Sequence, residues 1–262
     1  MRSAIVIGAA RGIGAATAVA LGRCGHDVTL VDRCANDPRL PYALATRADL
    51  DAAVAAVRAT GATASATVAD ACDADAIAAV VCDVETRCGG LDAMVVTAGV
   101  IAGGAPVWEM AAEQVDAVLD IDLRAVLVAA RAGVPALLRR APPRSGRFVA
   151  VASTAGSRGL PMLSAYCAAK AGVVGFVRGL AAELRGTGVT ANTVSPGSTD
   201  TEILAESARL YALENAAAFA PQHAIERLID PAEVAQVIAF LAGPASGALT
   251  GGDHPVDGGL SI

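Results

Sequence analysis

Short runs rich in β-branched residues alternate with alanine-rich stretches of helical length, and this alternation restricts the fold more than any other feature. A-I-V-I precedes residues 12–24, D-V-T-L-V precedes 48–60, and A-S-A-T-V precedes 73–88. The rhythm returns with D-A-M-V-V before 109–140, R-F-V-A-V-A before 164–185 and V-T-A-N-T-V before 199–219. Strands joined through helices run parallel, and a sheet covered by helices on both faces can be apolar along its whole length. No linker or shift of composition divides residues 1–262, so the expectation is one α/β domain built on a doubly wound parallel sheet.

With 54% hydrophobic and 18% charged residues the chain has ample material for a core and is not a disordered protein. A net charge of −6 without a local Lys/Arg run gives no footprint for nucleic acid or for an anionic membrane surface. The start M-R-S-A-I-V-I-G passes straight into glycine punctuation and does not read as a signal peptide. No segment offers about 20 apolar residues free of charge and glycine, as a spanning helix needs. The default expectation is therefore a soluble cytoplasmic protein. Cysteines 24, 34, 72, 82, 88 and 167 show no paired metal spacing, and three histidines are few to join them. They are expected to be buried, reduced thiols, with no metal site.

G-A-A-R-G-I-G, Gly8 to Gly14, follows the first strand directly. A glycine-rich turn between strand and helix lets backbone approach a pyrophosphate, while the helix N-terminus offers free N–H donors. The spacing G-x-x-x-G-x-G differs from G-x-G-x-x-G, and such turns also arise simply to end strands. Asp32 at the end of the second strand strengthens the cofactor reading. A carboxylate there accepts the ribose hydroxyls of NAD and repels the 2′-phosphate of NADP, although the adjacent Arg33 works the other way.

Further along stand S-T-A-G at 153–156 and Y-C-A-A-K at 166–170. A separation of four puts Tyr166 and Lys170 on one helix face, where an ammonium favours phenolate over phenol. Tyrosine with a pKa of about 10 is otherwise a poor base near neutrality. Ser153, at the end of the preceding strand, is placed to hydrogen-bond a substrate oxygen. The plain alternative is an ordinary amphipathic Tyr/Lys pair.

Taken together, Gly8, Gly12, Gly14, Asp32, Asp70, A-G at 98–99, Ser153, Tyr166, Lys170 and P-G at 196–197 resemble, in order and spacing, the short-chain dehydrogenase/reductase family. The resemblance runs to T-G-G-D-H-P-V-D-G-G, which looks like that family's last strand. It implies a Rossmann-like doubly wound sheet of about seven strands, NAD(P) at its carboxyl edge, and a homotetramer. It also implies cofactor contacts from Gly8, Arg11, Gly12, Ile13, Gly14, Asp32, Asp70, Ala98, Gly99, Pro196, Gly197 and Thr201, with Tyr166 and Lys170. In the family the serine orients the substrate, the tyrosine exchanges its proton, and the lysine lowers the tyrosine pKa and holds the nicotinamide ribose. The sequence departs from the pattern twice. V-T-A-G at 96–99 stands for N-N-A-G, so that Thr97, Ala98 and Gly99 line the cofactor, and Asp122 in D-I-D-L replaces the asparagine of the catalytic tetrad.

The span from Asp32 to Asp70 is longer than the family's usual one, through an insertion at about 33–50 punctuated by Pro38 and Pro41 and carrying Leu40, Tyr42 and Leu44. Such a segment is ill suited to be a free tether and is expected to cover something. V-D-R-C-A-N-D-P…P-Y-A-L-A-T-R-A-D-L resembles the insertion of the mycofactocin-coupled branch. That implies NAD held without free exchange and reoxidised by a peptide-derived redox carrier; a surface loop or subunit contact is the alternative. The expected activity is hydride transfer between NAD and a small apolar secondary alcohol or ketone. A non-catalytic NAD-binding regulatory or structural protein is the alternative from another class, and a nucleotide-sugar epimerase would need a larger C-terminal region. Met162, Leu163, Ile203 and Leu204 suggest an apolar pocket but serve equally as core.

Overall fold

In a computed structural model describing residues 1–262, the expected alternation becomes a seven-stranded parallel sheet ordered β3-β2-β1-β4-β5-β6-β7. The elements run β1 Arg2–Ile7, α1 Gly12–Arg23, β2 His26–Asp32, α2 Arg47–Arg58, β3 Ala64–Val68, α3 Ala74–Cys88 and β4 Ala93–Val96. They continue with α4 Ala112–Leu119, a π-helical turn Asp120–Arg124, α5 Ala125–Arg139, β5 Arg147–Val151, α6 Ser164–Glu183, β6 Thr190–Pro196, α7 Glu202–Leu210, α8 Pro231–Ala242 and β7 Asp253–Val256. Alternate residues of β1 serve opposite layers, as the period of a strand demands. Ile5 and Ile7 pack with Val80, Leu137 and Val177 on one side, while Ala4 and Val6 pack with Leu21, Val54 and Ile238 on the other.

Local sequence explains where helices begin. Thr46 and Asp49 form a reciprocal capping box at α2, Asp73 caps α3, and Asp230 with Glu233 caps α8, whose first residue is Pro231. The helix expected over 109–140 is three pieces, because the π turn inserts an extra residue between α4 and α5. That expected over 199–219 stops at Leu210 and gives way to a 3-10 stretch, Ala216–Gln222. The connection after β2 spans residues 33–46, so the last four residues of the stretch 33–50 are already the first turn of α2.

One expectation needs correction. None of the six free cysteines is fully buried, and two are exposed: Cys24 in the turn that ends α1, and Cys82 on a position of α3 that does not face the core. One helix, Ser164–Glu183, is long and apolar enough by length and composition to cross a membrane. It carries Lys170 and Arg178, and its Val173, Val177 and Leu180 belong to the core.

Candidate functional site

The strand registers bring Ile7 level with Val31 and Val96, and Val96 level with Ala150. The residues that follow the strands therefore gather along one edge, where the order reverses between β1 and β4 and a ligand crevice opens. A cavity of about 590 Å³ lies there, and all sixteen candidate residues line it: Gly8, Arg11, Gly12, Ile13, Gly14, Asp32, Asp70, Ala98, Gly99, Asp122, Ser153, Tyr166, Lys170, Pro196, Gly197 and Thr201.

The glycine turn is closely packed. At Gly8, where φ is +84°, a Cβ would stand 2.4 Å from the Ala98 backbone nitrogen, and at Gly14 it would stand 1.9 Å from the Gly8 carbonyl oxygen. Arg11 precedes α1 in extended conformation and caps no N–H, so the first turn of that helix keeps donors for an anion. Asp32 pins the turn to β2 by accepting from the Ala10 N–H at 3.0 Å and the Cys34 N–H at 3.3 Å, leaving lone pairs for further donors. Asp70 lies two residues beyond β3, accepts from the Cys72 N–H at 2.9 Å and stands 3.6 Å from Arg33. Thr97 is locked into the turn, its hydroxyl within reach of the Ile7 and Gly8 carbonyls at 2.8 and 3.0 Å. Pro196 closes β6, and the Thr201 hydroxyl caps α7 by accepting from the Leu204 N–H, with its methyl beside Gly12. A turn stripped of Cβ atoms, an uncapped helix end and a carboxylate beyond them fit a dinucleotide.

At the other end of the cavity α6 presents Tyr166 and Lys170 one turn apart. Lys170 is buried, 3.0 Å from the Asp122 carboxylate, donates to the Val151 carbonyl at 3.3 Å, and lies 5.6 Å from the Tyr166 ring centre. Asp122 is fully buried on the π turn and accepts from the Val100 N–H at 3.2 Å. Two glycines make room for it. A Cβ at Gly99 would stand 2.8 Å from the carboxylate, and one at Gly172 would press on Leu123 of the π turn at 3.0 Å. The asparagine position thus holds an anion in direct contact with the lysine. Removing one partner of a buried pair strands the other, at a cost of about 3–5 kcal/mol.

That pairing changes the electrostatics expected for Tyr166. Burial raises its pKa first; Lys170 lowers it, Asp122 raises it, and Ser153 lowers it by hydrogen bonding, with a net result above the ordinary value. The ammonium acts in the expected direction, but the carboxylate beside it offsets part of its effect. Lys170 is pulled down by burial, yet Asp122 and then Tyr166 hold it above its ordinary value. Asp122 is raised by burial against the opposing pull of Lys170. In Asp122→Asn the negative charge leaves while an acceptor remains, so the Tyr166 phenolate should form at lower pH. The chain has three tyrosines, and tyrosinate absorbance in Asp122→Asn, with Tyr166→Phe as the blank, isolates this titration. An unchanged or higher midpoint would mean that Lys170 loses its proton along with its partner.

The connection 33–46 is bound down at several points. Arg39 donates to both oxygens of buried Asp37 at 2.9 and 2.8 Å and to Asp120 of the π turn at 2.8 Å, and Arg33 meets Asp37 at 2.8 Å. The Arg39 hydrogen bonds, first among the causes, hold Asp37 far below the usual carboxylate range. Leu40 is buried with Val100, Ala117 and Ala165, and Tyr42 and Leu44 pack against the same cluster as Tyr166. The Tyr42 hydroxyl accepts from the Ile101 N–H at 2.9 Å, and Tyr42, Leu44 and Ala45 line the cavity. The sequence marks Tyr42 as apolar but not as a cavity residue, since its place depends on Ile101, 59 positions away. Leu163, Ile203 and Leu204 also line the cavity; Met162 instead offers its carbonyl to the Gly104 N–H. Arg158, which no motif marks, lines it as well.

Residues 8–261 match a family model described as enoyl-(acyl carrier protein) reductase. The 2-dehydro-3-deoxy-L-rhamnonate dehydrogenase (NAD(+)) of Sphingomonas sp. is 40% identical over 116 residues, 44% of this chain and 45% of that protein. The crystal structure of carveol dehydrogenase from Mycobacterium avium in complex with NAD superposes with a TM-score of 0.92 at 30% identity, over 99% of this chain and 97% of that one. An actinorhodin polyketide ketoreductase with NADPH gives 0.88 at 32% identity, over 99% and 97%. The chain belongs to the short-chain dehydrogenase/reductase family. It is an oxidoreductase of the pyridine-nucleotide-dependent kind.

Proposed function

We propose that the protein moves hydride between NAD and a secondary alcohol or its ketone, with Ser153, Tyr166 and Lys170 at the reacting end and Asp122 as partner to the lysine. The observation that carries this reading is one cavity joining the glycine turn and Asp32 to Tyr166, Ser153 and the buried Lys170–Asp122 pair. When bound, NAD supplies the hydride acceptor for alcohol oxidation and NADH the donor for ketone reduction. The glycine turn and Thr201 would hold the pyrophosphate, Asp32 and Asp70 the adenosine end, and Lys170 the nicotinamide ribose. Tyr166 takes the alcohol proton on its phenolate oxygen or returns it from the phenol, while Ser153 orients the reacting oxygen. Incubation of NAD-loaded protein with a panel of secondary alcohols tests the reading, bound NADH being followed by absorbance. No NADH from any alcohol, and no ketone reduction by the NADH-loaded form, would leave a binding protein without this chemistry.

A preference for NAD over NADP is supported by Asp32, whose carboxylate would repel a 2′-phosphate brought close to it. Asp32→Asn should narrow the preference for NAD on the order of tenfold, by removing one charge near the protein surface. Equal affinities for NAD and NADP in the unaltered protein, titrated at matched ionic strength, would sink the assignment.

The anchored connection supports the finer reading drawn from the mycofactocin-coupled branch. Tyr42, Leu44 and Ala45 form part of the cofactor cavity, and Arg39 ties the connection to the π turn that bears Asp122. NAD would then be retained through the cycle and reoxidised in place by a peptide-derived carrier. Exposed Leu127 on α5 and Phe240 on α8 are candidate contact faces for the homotetramer that the family resemblance implies.

A further inference from the structure

Four cationic side chains line the cavity, and three are accounted for. Arg11 belongs to the glycine turn and donates to the Ala43 carbonyl, Arg33 is paired with Asp37 and Asp70, and Lys170 is paired with Asp122. The fourth, Arg158, like Arg11 forms no ion pair, but it lies beside the reacting residues and away from the glycine turn. Its backbone is fixed between the reacting residues: its N–H donates to the Thr154 carbonyl at 2.9 Å, next to Ser153, and its carbonyl accepts from the Cys167 thiol at 3.6 Å, next to Tyr166. Its exposed guanidinium donates to the Leu260 carbonyl, a neutral acceptor that leaves most of its five N–H groups free. Apolar lining of the same cavity comes from Leu160, Leu163, Ile203, Leu213 and Phe219. Glu202, an exposed carboxylate at the start of α7, also lines the cavity.

An arginine held open at the substrate end of an apolar chamber is a receptor for a planar anion. We infer that Arg158 is a specificity-determining residue that takes a carboxylate, so that the substrate is a secondary alcohol or ketone whose apolar body carries a carboxylate away from the reacting carbon. This rests on the dehydrogenase reading for the identity of the reacting group. The anion requirement stands on the geometry of Arg158 itself.

Matched pairs separate the two. NAD-loaded protein is titrated calorimetrically with 4-hydroxycyclohexanecarboxylic, 3-hydroxybutyric and 3-hydroxy-3-phenylpropionic acids and with the primary amide of each. At least one acid should bind about tenfold more tightly than its amide, as a charge-assisted hydrogen bond to arginine provides. Arg158→Gln should bring that pair to near equality, and Arg158→Lys should restore part of the preference. Equal binding in all three pairs, or an acid preference that survives Arg158→Gln, would overturn the assignment. Bound NADH formed from the alcohols is a separate readout. Its absence would overturn the dehydrogenase reading, whereas loss of the acid preference alone overturns the role of Arg158.

Discussion

Tyr166→Phe should lower alcohol-dependent reduction of bound NAD by about 10²–10⁴-fold, the usual worth of a positioned proton acceptor, while NAD affinity stays within about threefold of the unaltered protein. In the proposed reaction the phenolic oxygen is the group that exchanges a proton with substrate. Lys170 is held by Asp122 and the Val151 carbonyl, and the Ser153 hydroxyl accepts from the Ala155 N–H. Phenylalanine keeps the ring that packs with Leu40, Val100 and Ala165, so the fold and the glycine turn should be untouched. The contrast with Lys170 is instructive. Removing that ammonium would leave Asp122 as an unpaired buried charge and confound chemistry with stability. Single-turnover absorbance and equilibrium NAD titration on the same preparation decide the matter. Turnover within a few-fold of the unaltered protein would remove Tyr166 from its role, and a large loss of NAD affinity would show that the hydroxyl serves binding.

The sheet and most of the candidate site were legible in the sequence because they rest on short-range signals. A glycine turn after an apolar strand, a carboxylate ending the next strand and a Tyr/Lys pair at helical spacing are all local patterns, and the structure brings them to one edge. Two kinds of information were not local. The π turn at Asp120–Arg124 has no composition of its own, so residues 109–140 read as one helix. Its turning of Asp122 onto Lys170 depends on Gly99 and Gly172 from other parts of the chain. The net effect on Tyr166 likewise required knowing that the lysine already had an anionic partner. The stretch after Asp32 was readable as a cover from its prolines and apolar residues, but its anchors Asp120 and Ile101 lie far away in sequence.

Those anchors set the expectation for cofactor release. NAD(H) should remain with the protein through purification and exchange more slowly than the protein turns over with an artificial electron acceptor, because release must await detachment of residues 33–46. Detachment costs the Arg39–Asp120 contact, the Tyr42–Ile101 hydrogen bond and the burial of Leu40, the last worth about 1.5–3 kcal/mol alone. In Arg39→Ala/Tyr42→Ala the contact with Asp120, the hydroxyl and the ring that packs beside Leu40 are all gone, while buried Asp37 keeps Arg33 as its ionic partner. Exchange should quicken on the order of 100-fold, given about 1.5–3 kcal/mol for a hydrogen bond to a charged group and less for a neutral one. Both replacements lie before Thr46, so the capping box that starts α2 is preserved and the sheet is not disturbed. The measurement loads labelled NAD, dilutes the protein into excess unlabelled NAD and follows release from both forms. Slow release from the unaltered protein and fast release from the double variant would mean that the connection makes NAD behave as a prosthetic group, which a separate carrier must then reoxidise. Fast release from the unaltered protein, with many turnovers on free NAD, would show that the anchored segment shapes the cavity without retaining its cofactor, and the link to a peptide-derived carrier would fall.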